Sequence, residues 1–477
     1  MTLGLNRLAK IIIFVLFTLL LLFSRFYNLD KTARFVWDES SDLVRMRQIY
    51  QDKNLTLIGP ISEDGNKVFG SISYYMFLPF AILGNFDPIS PVIGAAFWGV
   101  LTVGLLAYLV FKVNKKILYL ALPVLILWYP LVETGRWAWN PNLIPFWVSL
   151  SLIFLLRKGD FSKFVSGLFM GLALHLHYLS IFAGAGLAAV LFFKGLKEKK
   201  FNDFLAFFSG MVVSLLPFVI FDLSHPPGLF LSRILYFNYL GGSQEGASLL
   251  SNGILVVSET FKYFTQSELL KYLLLALTVV LIFWDLKVRS KALPYIAVFV
   301  FQLLGVTMVK NFYPHYILAA LPFFVLYLIY PRKRAGKIFS YLSLAVILVS
   351  SIISFPKQIT KVTWEGNIAA TRQIAGIIEE EVRRGDLKNV NLAVLASEDP
   401  NIYGRRYRDL LLLKGVNLRT KEEYQITDAL FVITTANSEA LRADPGYEMN
   451  YFRNGPLVES WEVPNSEWKV FLFSRPI

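Results

Sequence analysis

Through the first 354 residues, apolar runs alternate with short polar loops. Runs at about 9–24, 89–111, 117–131, 143–156, 164–178, 179–193, 204–221, 269–284, 292–309, 316–331 and 338–354 approach or reach the length of a membrane-crossing helix, roughly 18–20 residues. They predict about eleven spans. Another apolar run, 69–83 (FGSISYYMFLPFAIL), is read as a helix lying in the interface, with Tyr74 and Tyr75 at headgroup level. Ahead of it, 41–50 places Leu43, Met46, Ile49 and Tyr50 on one side of a helix, with Arg45, Arg47 and Gln48 mostly elsewhere. That spacing predicts an amphipathic juxtamembrane helix. After residue 354 the pattern changes. Segment 363–384 has helical spacing, with Ile374, Ile377 and Ile378 opposing a run of three glutamates, while 391–396, 429–434 and 468–473 read as short buried strands. The expected organisation is a polytopic α-helical membrane domain over 1–354, with long loops at 25–88 and 222–268, followed by a soluble α/β domain over 355–477.

Charge gives this pattern an orientation. Loops at 112–116, 157–163, 194–203, 285–291 and 332–337 are crowded with Lys and Arg, which marks a cytoplasmic face. With the N-terminus inside, eleven spans put every basic cluster inside and the tail outside. Counting 69–83 as a span would invert that order. Of the 47 basic and 34 acidic residues, 355–477 holds 16 and 17, so the net charge of +13 belongs to the membrane part. It reports topology and anionic lipid contact; a nucleic-acid footprint would place basic residues on a soluble face. The chain has no cysteine, which excludes disulfides, thiolate metal sites and cysteine nucleophiles. Arg7 and Lys10 precede an apolar stretch with no small-residue cleavage site after it, so this stretch reads as an uncleaved first span. The expected location is the plasma (inner) membrane, N-terminus in the cytoplasm.

The loops on the other face hold the unusual residues: Trp37-Asp38-Glu39, Arg136-Trp137-Ala138-Trp139-Asn140, His175-Leu176-His177-Tyr178, His225-Pro226-Pro227 and Lys310-Asn311-Phe312-Tyr313-Pro314-His315. Asp38 and Glu39 stand at the start of the amphipathic helix, where the helix dipole favours an ionised carboxylate suited to a base. The alternative is helix capping by Asp38, Ser40 or Ser41. Arg136 between two tryptophans is either an anion-binding group or an interfacial anchor with cation–π contacts. His175 and His177 straddle a tight turn, so at most one of them, His177, is expected to line a site. Lys310 either binds an anion or snorkels from a span end, and His225 reads as a turn residue. No HExxH or DxD spacing gathers metal ligands, so no metal or other cofactor is expected.

The Asp38-Glu39 pair directly after the first span, followed by an amphipathic helix, resembles the GT-C glycosyltransferases. The similarity is greatest to the protein O-mannosyltransferase and aminoarabinose-transferase branch. Gly59-Pro60 and Ser73-Tyr74-Tyr75…Pro79 resemble that branch's first-loop segment. Gly167-Leu168…Gly171-Leu172-Ala173 leading to His177 resembles one of its spans, and Lys310…Tyr313-Pro314-His315-Tyr316-Ile317-Leu318…Leu321-Pro322 its "K…lPxYlLp..P" motif. The resemblance covers roughly 1–354; the tail carries no such motif. It implies an inverting single displacement from a polyprenyl-phosphate-linked sugar to a lipid, glycan or protein acceptor on the extracytoplasmic side. Asp38, with Glu39 beside it, would serve as base. Since phosphate is a good leaving group, the site must chiefly supply positive charge and hydrogen bonds to its oxygens. Arg136, His177, Lys310 and His315 are the charged candidates, Tyr316 is a donor, and Tyr74 and Asn140 are further substrate-binding candidates.

Two other classes compete. A transporter or flippase calls for polar, broken helices near the bilayer midplane and for internal repeats, whereas here the ionisable residues gather at span ends and no clear repeat is seen. An O-antigen-type ligase or polymerase would use diphosphate donors and an arginine-rich site. The early Asp-Glu pair favours the GT-C reading over both.

Overall fold

The structure is a computed structural model that describes residues 7–61, 68–226, 228–230, 249–309, 311–362, 367–396 and 403–476. The chain divides into two compact units. One comprises Met1–Tyr27, Leu55–Pro79 and Ile93–Ile359, the other Asn28–Asn54, Phe80–Val92 and Thr360–Ile477.

Among its described residues the first unit is helical apart from a small antiparallel ladder, β1 (Ile58–Ile61) with β2 (Val68–Gly70). A helix lies on every one of the eleven expected spans. Among the described residues, five stretches are long and apolar enough to cross a membrane: Arg7–Phe26, Ile89–Leu127, Ser180–Glu198, Glu268–Lys287 and Arg334–Thr360. The pair Asn202–Ser214 and Leu216–Ser224, bent by 40°, would make a sixth. The first-loop run forms the 12-residue helix Ile72–Leu83. The remaining four expected spans are shorter helices, Ile144–Leu155, Asp160–Leu176, Leu293–Val306 and Leu321–Ile329. All nine residues of the last are buried, so it is enclosed by protein; at 1.5 Å per residue it rises only about 14 Å.

Close helix crossings organise this unit. A Cβ on Gly167 would lie 1.8 Å from the Phe207 carbonyl oxygen, and one on Gly210 would lie 2.0 Å from that of Phe164. The Asp160–Leu176 and Asn202–Ser214 helices thus meet backbone to backbone, as small residues permit where no hydrophobic drive separates helix from lipid. At another corner Asp285 (0% exposed) and Arg332 form a buried pair at 2.6 Å, and Arg332 also donates to the carbonyls of Tyr327 and Tyr330. A buried charge pair is tolerable only with its remaining donors satisfied in this way.

In the second unit, four strands run in the order β3-β4-β6-β5, with β3 Val390–Val394, β4 Ala429–Thr434, β5 Leu457–Glu462 and β6 Lys469–Ser474. β3 and β4 pair in parallel; β6 is antiparallel to both β4 and β5. β3 and β4 are buried throughout, which is why they read as continuous apolar runs. The helices Ile368–Arg384 and Arg405–Leu413 pack with this sheet domain, and so does Trp37–Asp52 from the first loop.

Candidate functional site

In the first unit, four segments far apart in sequence assemble a ladder of rings. Trp137 stacks on Trp139 with centroids 4.2 Å apart and planes at 10°. Trp139 meets His315 edge-on at 4.5 Å, His315 meets His177 at 5.0 Å, and His177 stacks on Phe69 at 5.5 Å. Tyr316 lies 4.5 Å from His315 and 5.1 Å from His177. Phe69 reaches the ladder on β2, whose partner strand carries Gly59; a Cβ there would sit 2.0 Å from the Gly70 carbonyl oxygen.

Backbone geometry explains how each ring is placed. His177 follows the Asp160–Leu176 helix in extended conformation, φ −162° and ψ 126°, turning the chain toward the next helix. Its Nδ1 accepts from the Leu179 N–H at 3.3 Å, so the neutral ring carries its proton on Nε2. His315 and Tyr316 sit in the 3-10 turn Pro314–Ile317, started by a proline at its first position. Gln302, fully buried, donates both amide protons, to the carbonyls of Tyr316 at 2.6 Å and Leu179 at 3.0 Å. It ties together the two turns that carry the histidines. Asn140 donates to the Leu176 carbonyl at 2.6 Å, meeting one of the orphan acceptors of a helix end.

His175 makes a different set of contacts. Its Nε2 bonds the Ser214 carbonyl at 2.7 Å and its ring stacks on Phe218 at 4.2 Å, so it serves packing. His225 lies on Phe221 at 4.2 Å and bonds its carbonyl and Ser224. Tyr74 is buried, and Tyr75 donates to the Thr56 carbonyl at 2.6 Å. Lys310 lies outside the described residues.

Arg136 is 5% exposed and donates to the carbonyls of Ser24, Arg25 and Tyr27 at 3.2, 3.3 and 2.8 Å. Those carbonyls close the Arg7–Phe26 helix, whose negative dipole end suits a cation. Burial lowers the Arg136 pKa from 12.5 to about 10, which leaves it charged at neutral pH. Three residues earlier stands Glu133, a carboxylate that the residue pattern did not single out. Tyr129 donates to its Oε1 at 3.0 Å and Tyr263 to its Oε2 at 2.8 Å. Its isolation within the apolar stretch before Gly135 is the signal that could have marked it.

Asp38 and Glu39 belong to the second unit, in the first turn of Trp37–Asp52. Glu39 is 2% exposed, and its Oε2 accepts the Val36 N–H at 2.7 Å; this is the helix-capping role of an acidic residue in the first turn. Asp38 is half-buried. Ser40 and Ser41 lie 2.6 and 3.2 Å from Asp409 Oδ2 on the Arg405–Leu413 helix. The basic run around Arg405 is largely inward-facing: Arg408 is buried and donates to the carbonyls of Tyr403, Arg419 and Leu392.

The same arrangement, helices followed by a small sheet domain, is found in solved structures. Over 98% of its length the chain superposes on crystal structures of ArnT, an aminoarabinose transferase, from Cupriavidus metallidurans. The match to ArnT bound to undecaprenyl phosphate has a TM-score of 0.58 at 10% identity; the match to the apo state has 0.59 at 11%. Each covers 97% of the ArnT chain. At this identity the likeness is one of fold. No protein-family model matches the chain, and no curated protein matches it in sequence.

Proposed function

We propose that the protein is a membrane glycosyltransferase. It moves a sugar from a polyprenyl-phosphate carrier to a lipid, glycan or protein acceptor on the extracytoplasmic side of the inner membrane. The observation that carries this reading is the match of fold over nearly the whole chain to a transferase whose bound ligand is undecaprenyl phosphate. In this reading Asp38 takes the proton of the acceptor hydroxyl or amine. The acceptor atom attacks the anomeric carbon, the bond from that carbon to the phosphate oxygen breaks with inversion, and polyprenyl phosphate leaves with the electron pair. His177 Nε2, His315 and the Tyr316 hydroxyl, with Lys310, donate to the phosphate oxygens as charge develops. Arg136 and Glu39 support the backbone around them, and no metal ion is invoked.

Purified protein with a panel of radiolabelled polyprenyl-phosphate sugars and membrane extract should transfer one sugar to an extractable acceptor. Release of free sugar alone, or no movement of any panel sugar, overturns the reading. Because the chain has no native cysteine, sidedness can be read by single-cysteine labelling. Asp386→Cys should react with an impermeant maleimide in intact cells, and Lys158→Cys only after permeabilisation.

A further inference from the structure

The first turn of the Trp37–Asp52 helix is held by a carboxylate 369 residues further along the chain. Ser40 Oγ lies 2.6 Å from Asp409 Oδ2 and 3.0 Å from the Trp37 carbonyl oxygen. Ser41 Oγ shows the reverse order, 3.2 Å from Asp409 and 2.7 Å from Trp37. A hydroxyl has one proton to give, so the distances sort the bonds: Ser40 donates to Asp409 and Ser41 to Trp37. Serine hydroxyls in helices commonly bond back to their own turn. Asp409 draws Ser40 out of that habit and into a contact with another element.

A second anchor lies farther along the same helix. Arg47 donates from Nη1 to the Leu413 carbonyl, at the end of the Arg405–Leu413 helix. The Trp37–Asp52 helix is therefore fixed to its partner at two points, near Asp409 and near Leu413. At its start Glu39 closes the turn on the Val36 N–H. Asp38 sits inside this triply bonded turn, one residue before Glu39 and two before Ser40. Asp409 is not an inexpensive group to use here: burial raises its carboxyl pKa, with Ser40 and Arg405 pulling the other way.

We propose that Asp409 is a positioning residue for sugar transfer, holding the turn that carries Asp38 so that the base carboxylate keeps one orientation. The proposal rests on the base reading of Asp38. Misplacing a catalytic group by about 1 Å can cost on the order of 100-fold in rate, so the C-terminal domain would act on kcat without touching the substrate.

The test compares variants of the full-length protein in the transfer assay with the panel sugar that moves. Asp409→Ala should lower kcat roughly 10- to 100-fold and leave KM for the donor unchanged. Ser40→Ala should reproduce that loss and Ser41→Ala should show much less. Asp409→Asn, which still accepts from the Ser40 hydroxyl, should recover most of the rate. In an Asp38→Asn background, Asp409→Ala should lower the residual rate no further. Amide exchange at 38–42 should quicken in Asp409→Ala while β3 and β4 stay protected; if the strands also exchange, Ser40→Ala and Asp409→Asn decide. The proposal is overturned if Asp409→Ala keeps the native kcat, if it raises KM alone, or if it costs the same in both backgrounds. If Asp38→Asn itself transfers at the native rate, the base reading fails first and takes the positioning role with it.

Discussion

The ring ladder around His177 and the first turn of the Trp37–Asp52 helix hold polar groups by opposite means. In the ladder's unit, Asn140, Gln302 and Arg136 all donate to backbone carbonyls, at Leu176, at Leu179 and Tyr316, and at Ser24, Arg25 and Tyr27. In the first turn of Trp37–Asp52, acids and hydroxyls bond one another and a backbone N–H. The difference follows from which backbone groups each place leaves open. A fold of short, broken helices in lipid leaves many carbonyls with no water to meet them, so side-chain donors are consumed there. The first turn of a helix leaves N–H groups open instead, and a carboxylate caps them. A conspicuous cation in the first setting is therefore weak evidence for anion binding.

The sharpest way to break this contrast is to remove one polar group from each region. Asp38→Asn should lower kcat for sugar transfer by roughly 1,000-fold, the middle of the range for a general base, with the protein still inserted and donor binding intact. A variant within threefold of native would place Asp38 among the caps with Glu39. Next in size is His177→Phe, which keeps a ring in the ladder and removes the Nε2 donor. Loss of one hydrogen bond to a charged ligand predicts roughly 10- to 100-fold lower kcat/KM. Steady-state kinetics with the transferred donor would show it, and an unchanged kcat/KM would make the ladder a packing device.

Much of this division was legible in the residue pattern, for a physical reason. Burial on all sides writes long apolar runs, so β3, β4, β6 and a helix on every expected span could be read directly. β5 could not, because it is largely exposed and its sequence, LVESWE, is broken by two glutamates and a serine, with none of the apolar continuity of β3. Segments that bend or end early, the pair meeting at Leu215 and the short helix before Tyr330, also read as spans. Roles were harder than places. His175 and His177 are alike in sequence, and only the turn geometry shows one bonded to the Ser214 carbonyl and the other stacked against Phe69. The bond from Ser40 to Asp409 joins residues 369 positions apart, and no local spacing encodes it.

A smaller effect sharpens the account of the ladder. Gln302→Leu keeps the bulk of a buried side chain and leaves the carbonyls of Leu179 and Tyr316 without their shared donor. Interhelical hydrogen bonds in membrane proteins are worth about 1–2 kcal/mol at most, so thermal unfolding in detergent should show a loss of that order. Donor KM should rise as well, since the two turns carrying His177 and Tyr316 are no longer tied. Lost stability with an unchanged KM would mean that Gln302 supports the fold alone.

The smallest expected effect concerns the pH dependence of the second unit. Burial raises the Asp409 pKa above its ordinary 3.8, so the folded unit holds this proton more tightly than the unfolded chain. For a group shifted in this direction, the stabilising contribution is full below the unfolded pKa and is lost as pH rises through the folded value. Asp409→Asn carries no such titration. The native protein should therefore lose stability relative to Asp409→Asn as pH rises from about 4 through the folded Asp409 value, read as a native-to-variant ratio of amide-exchange rates in the Arg405–Leu413 helix that grows with pH. The opposite sign would mean that Ser40 and Arg405 stabilise the carboxylate by more than its burial costs, and the contact would then be a stabilising bond in its own right.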